Sequence, residues 1–555
     1  RKPKPTREPM LGITLVLATG LSLRAPPPSA RPAATVLFVV PGPGGRRSPF
    51  GATSPAPSPE WHAVGSHLAS RLSNFGQNIA GDVLTEEELL ESDGVAKRAD
   101  IIIALGLSAE AAPSLALQKR QATPAALVSY DCAPEVDRLS EVGAYTQSPQ
   151  GVDVALQPAR TALVPWGRVA QGQRLCEQAA MLLARNSSED LLYALFFMIH
   201  GLGIAELDLV KYTVNPTWEK GPARNAAEFA SMCNKCADKI VPALTDPETK
   251  ATIDLLNECD MRDQVGSYRV IVSYETPQLE EFSLCILQQN NCFGCDATII
   301  EEPRVPLLQA WRGAAVDEAA SRQIFIGHFD CEEAHPEAAQ RLPWSWKIVC
   351  GANPAYDAFP AQHQIFYPSD KSATTLWYDP VFKVETLDGR SVWTKRHYRC
   401  TPRTVDPDLA VQSTGGSDGA WTLSTLDNGV ISKEHWTTVD AADDLSWAVL
   451  HYSGAAAVVG QSYLGALLCS ADGSWPEAAR SGAEYERIRA AFAKCGLELW
   501  ELYGHGPAEG GTSFMWTEAH AAWERSNPPP LAPIGDQSVQ AWRKSEKEKL
   551  AAQAA

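Results

Sequence analysis

The chain lacks an apolar run of roughly 18 residues, the length at which a helix can cross a bilayer. Its nearest approach, LLYALFFMIHGLGIAELDLV at 191–210, breaks at His200 and carries Glu206 and Asp208, so it reads as a buried or interfacial helix. Basic residues are scarce beside acidic ones: 48 Lys and Arg stand against 66 Asp and Glu, for a net charge of −18. Phosphate contacts need clustered cations, which excludes nucleic acid as the main partner. Nucleotide fingerprints are missing too. GPGG at 42–45 follows a strand-like run but has neither G-x-G-x-x-G spacing nor a phosphate-loop lysine. His328, Cys331 and His335 find no fourth donor at metal-site spacing, and no metal is expected. GQSYLG at 460–465 is one residue too long for a nucleophile elbow and falls in a strand-like run.

What is present divides into segments. At 555 residues the chain exceeds what one core usually serves. Within residues 1–33 the stretch from Met10 has a short apolar run followed by Ser, Ala, Arg and Pro without an acid, and the segment reads as targeting or disordered. Between 34 and 185, short β-branched runs (ATVLFVV, ADIIIALGL, AALVSYD) alternate with helical stretches, which predicts a small α/β domain around a parallel sheet. Residues 186–300 read as helical and cysteine-rich. Cys233, Cys236, Cys259, Cys285, Cys292 and Cys295 fall there, including the pairs CNKC and CFGC. The two pairs lie 55 residues apart. Compact zinc folds separate theirs by about 15–20, which favours disulfides over zinc or free thiols and hence an oxidising compartment.

Residues 320–510 change character. Eight strand-like runs (344–351, 362–368, 375–385, 390–400, 420–426, 430–438, 445–453 and 461–470) are separated by short polar turns such as LDGR and LDNG. One helix follows, with Tyr485, Ile488, Phe492 and Cys495 as its apolar stripe, Pro476 near its start and Gly496 past its end. Evenly spaced antiparallel strands closed by a packing helix describe an eight-stranded lipocalin-like β-barrel, wide enough for one small ligand. The predicted architecture is therefore α+β and multidomain, with residues 511–555 as a C-terminal tail.

SWKIVCGANPAYDAFPAQHQIFY (345–367), VETLDGRSVW (384–393) and WAVLHYSGAAAVVGQSYLGALL (447–468) resemble strands of the lipocalin domain of the violaxanthin de-epoxidase (VDE) family. NPTW (215–218), CNKC, LLNEC and EEFSLC are similar to that family's cysteine-rich part, and IVSYETPQLEEF (271–282) points to its VDE-related branch. Pro360-Ala361 stands where the de-epoxidases have Asp-Cys, and Gly266 and Val270 stand where cysteines are expected. The resemblance implies an oxidoreductase of the xanthophyll cycle that reduces an epoxy-xanthophyll with ascorbate as co-substrate. It further implies location in the chloroplast, in the thylakoid lumen or at its membrane surface, with an apolar carotenoid ligand, contact with thylakoid lipid, and room for a homodimer.

Opening an epoxide requires a proton on its oxygen, because alkoxide is a poor leaving group. A carboxylic acid serves if burial raises its pKa. Asp357, in NPAYDAF just beyond the first barrel strand, is the candidate donor; a solvated turn is its plain alternative. Tyr356, Phe359, Gln362, Trp377, Tyr378, Trp393 and Tyr463 are candidate ligand contacts in the barrel. The other reading is a non-catalytic, lipocalin-type protein of the plastid that binds a carotenoid or isoprenoid, or acts in regulation.

Overall fold

The computed structural model describes residues 32–555 apart from 52–54, 73–77, 92–98, 122–125, 141–142, 149–150, 156–178, 181–182, 184–187, 208, 210–221, 260–262, 302, 332–340, 354–358, 370–371, 405–418, 505–516 and 555. Residues 1–31 of the expected targeting segment therefore lie outside the described residues.

The N-terminal runs form a six-stranded sheet of β1 (Ala34–Val40), β2 (Ile79–Thr85), β3 (Ile101–Leu105), β4 (Ala126–Tyr130), β5 (Gly143–Ser148) and β6 (Gly151–Ala155). Its spatial order is β2-β1-β3-β4-β5-β6; the first five strands run parallel and β6 is antiparallel. Near-continuous Val and Ile runs suit strands buried on both faces. Helices Trp61–Arg71 and Ser188–Gly201 cover one face, and Leu89, Leu115 and Val136 from shorter helices pack on the other. The 191–199 run is buried throughout, and among the described residues no helix is long and apolar enough to cross a membrane. This domain touches the rest of the chain through Glu501, whose carboxylate meets His67 Nε2 at 2.6 Å and Arg71 Nη1 at 3.4 Å, and through Phe50 stacked on Trp500. Burial alone would raise the Glu501 carboxyl, but His67 and Arg71 outweigh it and hold it below its ordinary value.

Among the described residues the cysteine-rich part has four helices, Pro222–Thr245, Pro247–Glu258, Gln264–Ser273 and Pro277–Ser283, the last continued by a wide turn at Leu284–Gln289. Asp246, Asp263 and Thr276 cap three of them by accepting backbone N–H bonds in the first turn. Of the six cysteines expected to form disulfides, Cys236 and Cys285 are joined, tying the first helix to the turn that continues the fourth. The bridge closes a loop of 49 residues, a constraint of about 4 kcal/mol on the unfolded chain by loop entropy.

After a small hairpin of β7 (Ala310–Trp311) and β8 (Ala314–Ala315), the barrel follows. It is built from β9 (Trp346–Gly351), β10 (His363–Ser369), β11 (Ser372–Glu385), β13 (Tyr398–Arg403), β14 (Ala420–Asp427), β15 (Val430–Ala441), β16 (Ala448–Ala456) and β17 (Gln461–Ser470). Each pairs antiparallel with the next, and β9 pairs with both β10 and β17, so the sheet closes. The run expected as one strand at 390–400 is two, β12 (Ser391–Lys395) and β13, both in the same register against β11. The gap lies opposite Asp379-Pro380. Pro380 has no N–H to give, and its carbonyl instead accepts from Arg396 N at 3.2 Å. Asn428 and Gly429 both take positive φ at the β14–β15 turn, as a tight two-residue hairpin requires. The expected helix begins at Ala483, after Gly482, rather than near Pro476; Ala483–Lys494 packs Ile488 and Phe492 on the outside of the barrel, and a two-residue strand β18 (Tyr503–Gly504) adds to β9.

Residues 517–554, expected as a tail, include helices Glu518–Ser526 and Val539–Ala554, and the segment between them lies against the outer barrel wall. Ile534 N donates to Asp379 Oδ2 and Gly535 N to the Tyr367 hydroxyl, while Lys395 Nζ donates to the Pro530 and Ala532 carbonyls.

Candidate functional site

Period-two alternation decides what enters the barrel. On β11, Leu376, Tyr378, Pro380 and Phe382 face inward; on β15, Glu434 and Trp436 do, and on β16, Tyr452. Tyr378 stacks on Phe366 at 4.3 Å, Trp436 on Tyr452 at 5.0 Å, and Trp436 lies 5.3 Å from Tyr378. Helix Glu318–Ile326 closes one end of the barrel by setting Phe325 5.0 Å from Phe366 and 5.9 Å from Trp421. Gly454 and Gly465 are required by close approach: a Cβ on either would lie 2.5–2.9 Å from the ring of Tyr463 or Tyr452 or from the Ala352 carbonyl.

A cavity of about 60 Å³ remains, lined by Gln362, Gln364, Tyr378, Glu434, Trp436 and Tyr452, with Tyr268 and Phe382 at its other end. Tyr268 comes from helix Gln264–Ser273, which covers this mouth; its ring is 5.4 Å from Phe359 and 5.7 Å from Phe382. Arg396 stands beside it, bonded to Asp427 at 2.5 Å and Glu275 at 3.1 Å, with its guanidinium 5.0 Å over the Tyr268 ring. The cysteine-rich helices therefore supply the lid of the barrel.

Two described carboxylates line the cavity: Asp427, paired with Arg396 at the mouth, and Glu434, which is 4% exposed and lies among the aromatic rings. Glu434 accepts from Trp436 Nε1 at 2.6 Å and from the Tyr463 hydroxyl at 2.7 Å, and the Tyr398 hydroxyl also bonds to it. Burial raises its pKa above the ordinary glutamate value, against the opposing effect of those three donors. Sequence reading passed over Glu434, although the signal was there: in SKEHW it shares strand parity with Trp436, placing a charge on the apolar face.

The expected contacts separate into three groups. Gln362, Tyr378 and Tyr463 face the interior, with Gln362 Nε2 donating to the Phe359 carbonyl at 2.9 Å and the Tyr378 hydroxyl donating to Gln364 Oε1. Phe359 is buried at the mouth. Asp357 and Tyr356 lie outside the described residues, between Asn353 and Phe359, which are both buried. Trp377 and Trp393 are not cavity walls. Each has the opposite parity to Tyr378 or its neighbours on the ladder and sits on the barrel exterior, where Trp377 donates to Asp536 at 2.9 Å and Trp393 to the Asn527 carbonyl at 2.7 Å.

Burial also lowers the His451 imidazole to about 4 and lowers that of His363, where Glu524 opposes it. Both are held neutral in the fold, while the unfolded chain protonates them near 6.5. Stability is thus present above about pH 6.5 and lost as pH falls toward 4, by up to about 3 kcal/mol for His451. Glu434 has the opposite sign, because its raised pKa favours the folded state on acidification. Urea denaturation at pH 6.5, 5.5 and 4.5 should show a declining midpoint, with a shallower decline in His451→Gln. An unchanged slope in that variant would refute the assignment.

Among the described residues no group of three His, Cys, Asp or Glu is placed to hold a metal. The model of the VDE lipocalin domain matches residues 228–503, a span that takes in three of the cysteine-rich helices and most of the first, together with the barrel. No curated protein matches the chain. Among solved structures the chain is similar to lobster apocrustacyanin A1, at 11% identity over 30% of this chain and 76% of that one; with a TM-score of 0.19 the likeness carries no argument.

Proposed function

Since the chain is a VDE-family lipocalin-domain protein, we propose that it reduces an epoxy-xanthophyll, with an end ring of the pigment entering the barrel beneath the Tyr268 lid. The observation that carries this reading is Glu434, a carboxyl group buried among aromatic rings and held toward its protonated form inside a VDE lipocalin barrel. De-epoxidation balances as epoxide plus two protons and two electrons giving alkene and water. Both electrons come from ascorbate, which leaves as dehydroascorbate. In this reading Asp357 gives the proton that the epoxide oxygen needs as its C–O bond opens, and Glu434 is a further acid, buried inside the barrel. The setting proposed is the thylakoid lumen or its membrane surface, where lipid delivers the pigment.

A cavity of about 60 Å³ is well below the roughly 300 Å³ at which ligand pockets begin, so entry requires Tyr268, Phe359 and Phe382 to move apart. The small cavity, together with three hydrogen bonds already satisfying Glu434, favours the second reading, a carotenoid- or isoprenoid-binding protein without turnover. Incubating the full chain with violaxanthin, galactolipid and ascorbate at pH 5 separates the two. The first reading expects de-epoxidised pigment, reduced about 100-fold or more in Asp357→Asn and in Glu434→Gln, the usual scale of a lost general acid. Pigment retained but unchanged would replace it with the second.

A further inference from the structure

Helix Gln264–Ser273 must lift for the barrel to open, since its Tyr268 ring packs on Phe359 and Phe382. It is tied to the β11–β12 hairpin: Arg269 Nε donates to the Glu385 carbonyl at 2.7 Å, and Ser273 Oγ accepts from Leu387 N at 3.0 Å. A further anchor is Glu275, just past the end of the helix. Its carboxylate accepts from Arg396 Nη2 at 3.1 Å and from Asn428 Nδ2, in the β14–β15 turn, at 3.3 Å. It also accepts from Arg543 Nη2 at 3.4 Å. Arg543 belongs to neither lid nor barrel. It comes from helix Val539–Ala554, 268 positions further along the chain.

That helix ends an arm fastened along the outer wall. Trp523 packs 5.0 Å from Trp393, with Lys383 Nζ 4.9 Å from its ring centre, and Glu524 lies 3.4 Å from His363. Asp536 accepts from Trp377 Nε1 at 2.9 Å and from Ser369 Oγ at 3.3 Å. Trp542 then sets its ring 5.3 Å from Lys395 Nζ, and the next residue, Arg543, reaches the lid. There it completes a charge balance. Arg543 Nη2 lies 4.0 Å from Asp427 Oδ1, and Arg396 Nε donates to Asp427 Oδ2 at 2.5 Å. The carboxylates of Glu275 and Asp427 thus face the guanidiniums of Arg396 and Arg543. Without Arg543, only Arg396 among these groups would answer both carboxylates. Their repulsion would then displace Glu275, which the lid carries, rather than Asp427, which a strand holds.

We propose that the C-terminal arm, residues 517–554, is a latch that holds the lid over the barrel, with Arg543 on Glu275 as its catch. The latch deepens the proposed function and rests on the barrel being the ligand compartment. It accounts for a cavity too small for an end ring, because the closed state is the latched one. Releasing the arm frees Glu275, lets the lid helix lift and parts Tyr268 from Phe359 and Phe382. Hydrogen exchange of the full chain without ligand tests the latch itself, since exchange in the lid helix reports how often that helix opens. The rate at which β-ionone quenches tryptophan fluorescence tests what the latch guards.

Arg543→Glu should raise exchange across residues 264–273 about fivefold, the upper scale of a half-exposed ion pair. Arg543→Lys keeps the charge and should stay near the wild type. In a Glu275→Gln background the Arg543→Glu change should add little, because the catch is already gone. Asp536→Ala loosens the arm away from Glu275 and should raise lid exchange as well. β-Ionone should enter the Arg543→Glu protein faster than the wild type. Unchanged lid exchange in Arg543→Glu, an equal effect with Glu275 already replaced, or a lid indifferent to Asp536→Ala would each overturn the latch. If the lid loosens in these variants yet β-ionone enters none of them, the latch stands and the ligand compartment falls.

Discussion

Replacing Asp379 by alanine should destabilise the barrel by about 3–5 kcal/mol and release the C-terminal segment that crosses it. Asp379 is fully buried on the outer side of β11 and answers four groups. His397 Nδ1 lies at 2.6 Å, the Tyr367 hydroxyl at 2.9 Å, Ile534 N at 2.9 Å and Lys395 Nζ at 3.4 Å. The Lys395 side chain is 1% exposed, so removing the carboxylate leaves a cation in a dry site without its counter-charge. Burying an uncompensated charge is among the costliest single changes a fold can suffer. Asp379→Asn keeps the shape and most hydrogen bonds but not the charge, and should fall between the wild type and alanine. Urea denaturation gives the magnitude. Limited proteolysis gives the location, with new cleavage expected across 527–537. If that segment stays protected in Asp379→Ala, the anchoring account is wrong.

Trp436→Ala should cost a further class of energy, about 3–5 kcal/mol from a cavity in the packed core. Trp436 lies at the centre of the interior aromatics, near Tyr378, Tyr452 and Phe325, and it also donates to Glu434. Its removal enlarges the compartment beside the buried acid. Two opposed effects should therefore appear together: a lower denaturation midpoint, and tighter uptake of a small apolar ring compound such as β-ionone by calorimetry. A destabilised variant with no gain in uptake would show that the space had collapsed and that the cavity is not a ligand compartment.

The barrel was legible because its alternation is strong and its turns carry recognisable residues, as Asn428-Gly429 does between β14 and β15. One strand was read as continuous across Arg396-His397, because the cause of the break, Pro380, sits on the neighbouring strand, where no local pattern records it. Trp377 was placed inside beside Tyr378, yet adjacent residues on a strand cannot face the same way; parity alone would have moved it outside. Glu434 was missed for the complementary reason, since a charge in a strand reads as solvated until its neighbour Trp436 is seen to point inward. The docking of residues 527–537 on the barrel rests on contacts between positions about 130–170 apart, such as Tyr367 with Gly535, and no short-range signal encodes them. Six clustered cysteines suggest several bridges; among the described residues the bridge seen joins Cys236 and Cys285, on two helices whose facing cannot be read from spacing.

Hydrogen exchange of the full chain with and without violaxanthin at pH 5 puts the pigment compartment to its most direct test. Entry beneath the lid predicts altered exchange in helix Gln264–Ser273 and around Phe359, with slowed exchange along β11 and β15. A response confined to the N-terminal sheet, or none anywhere, would contradict a pigment site in the barrel.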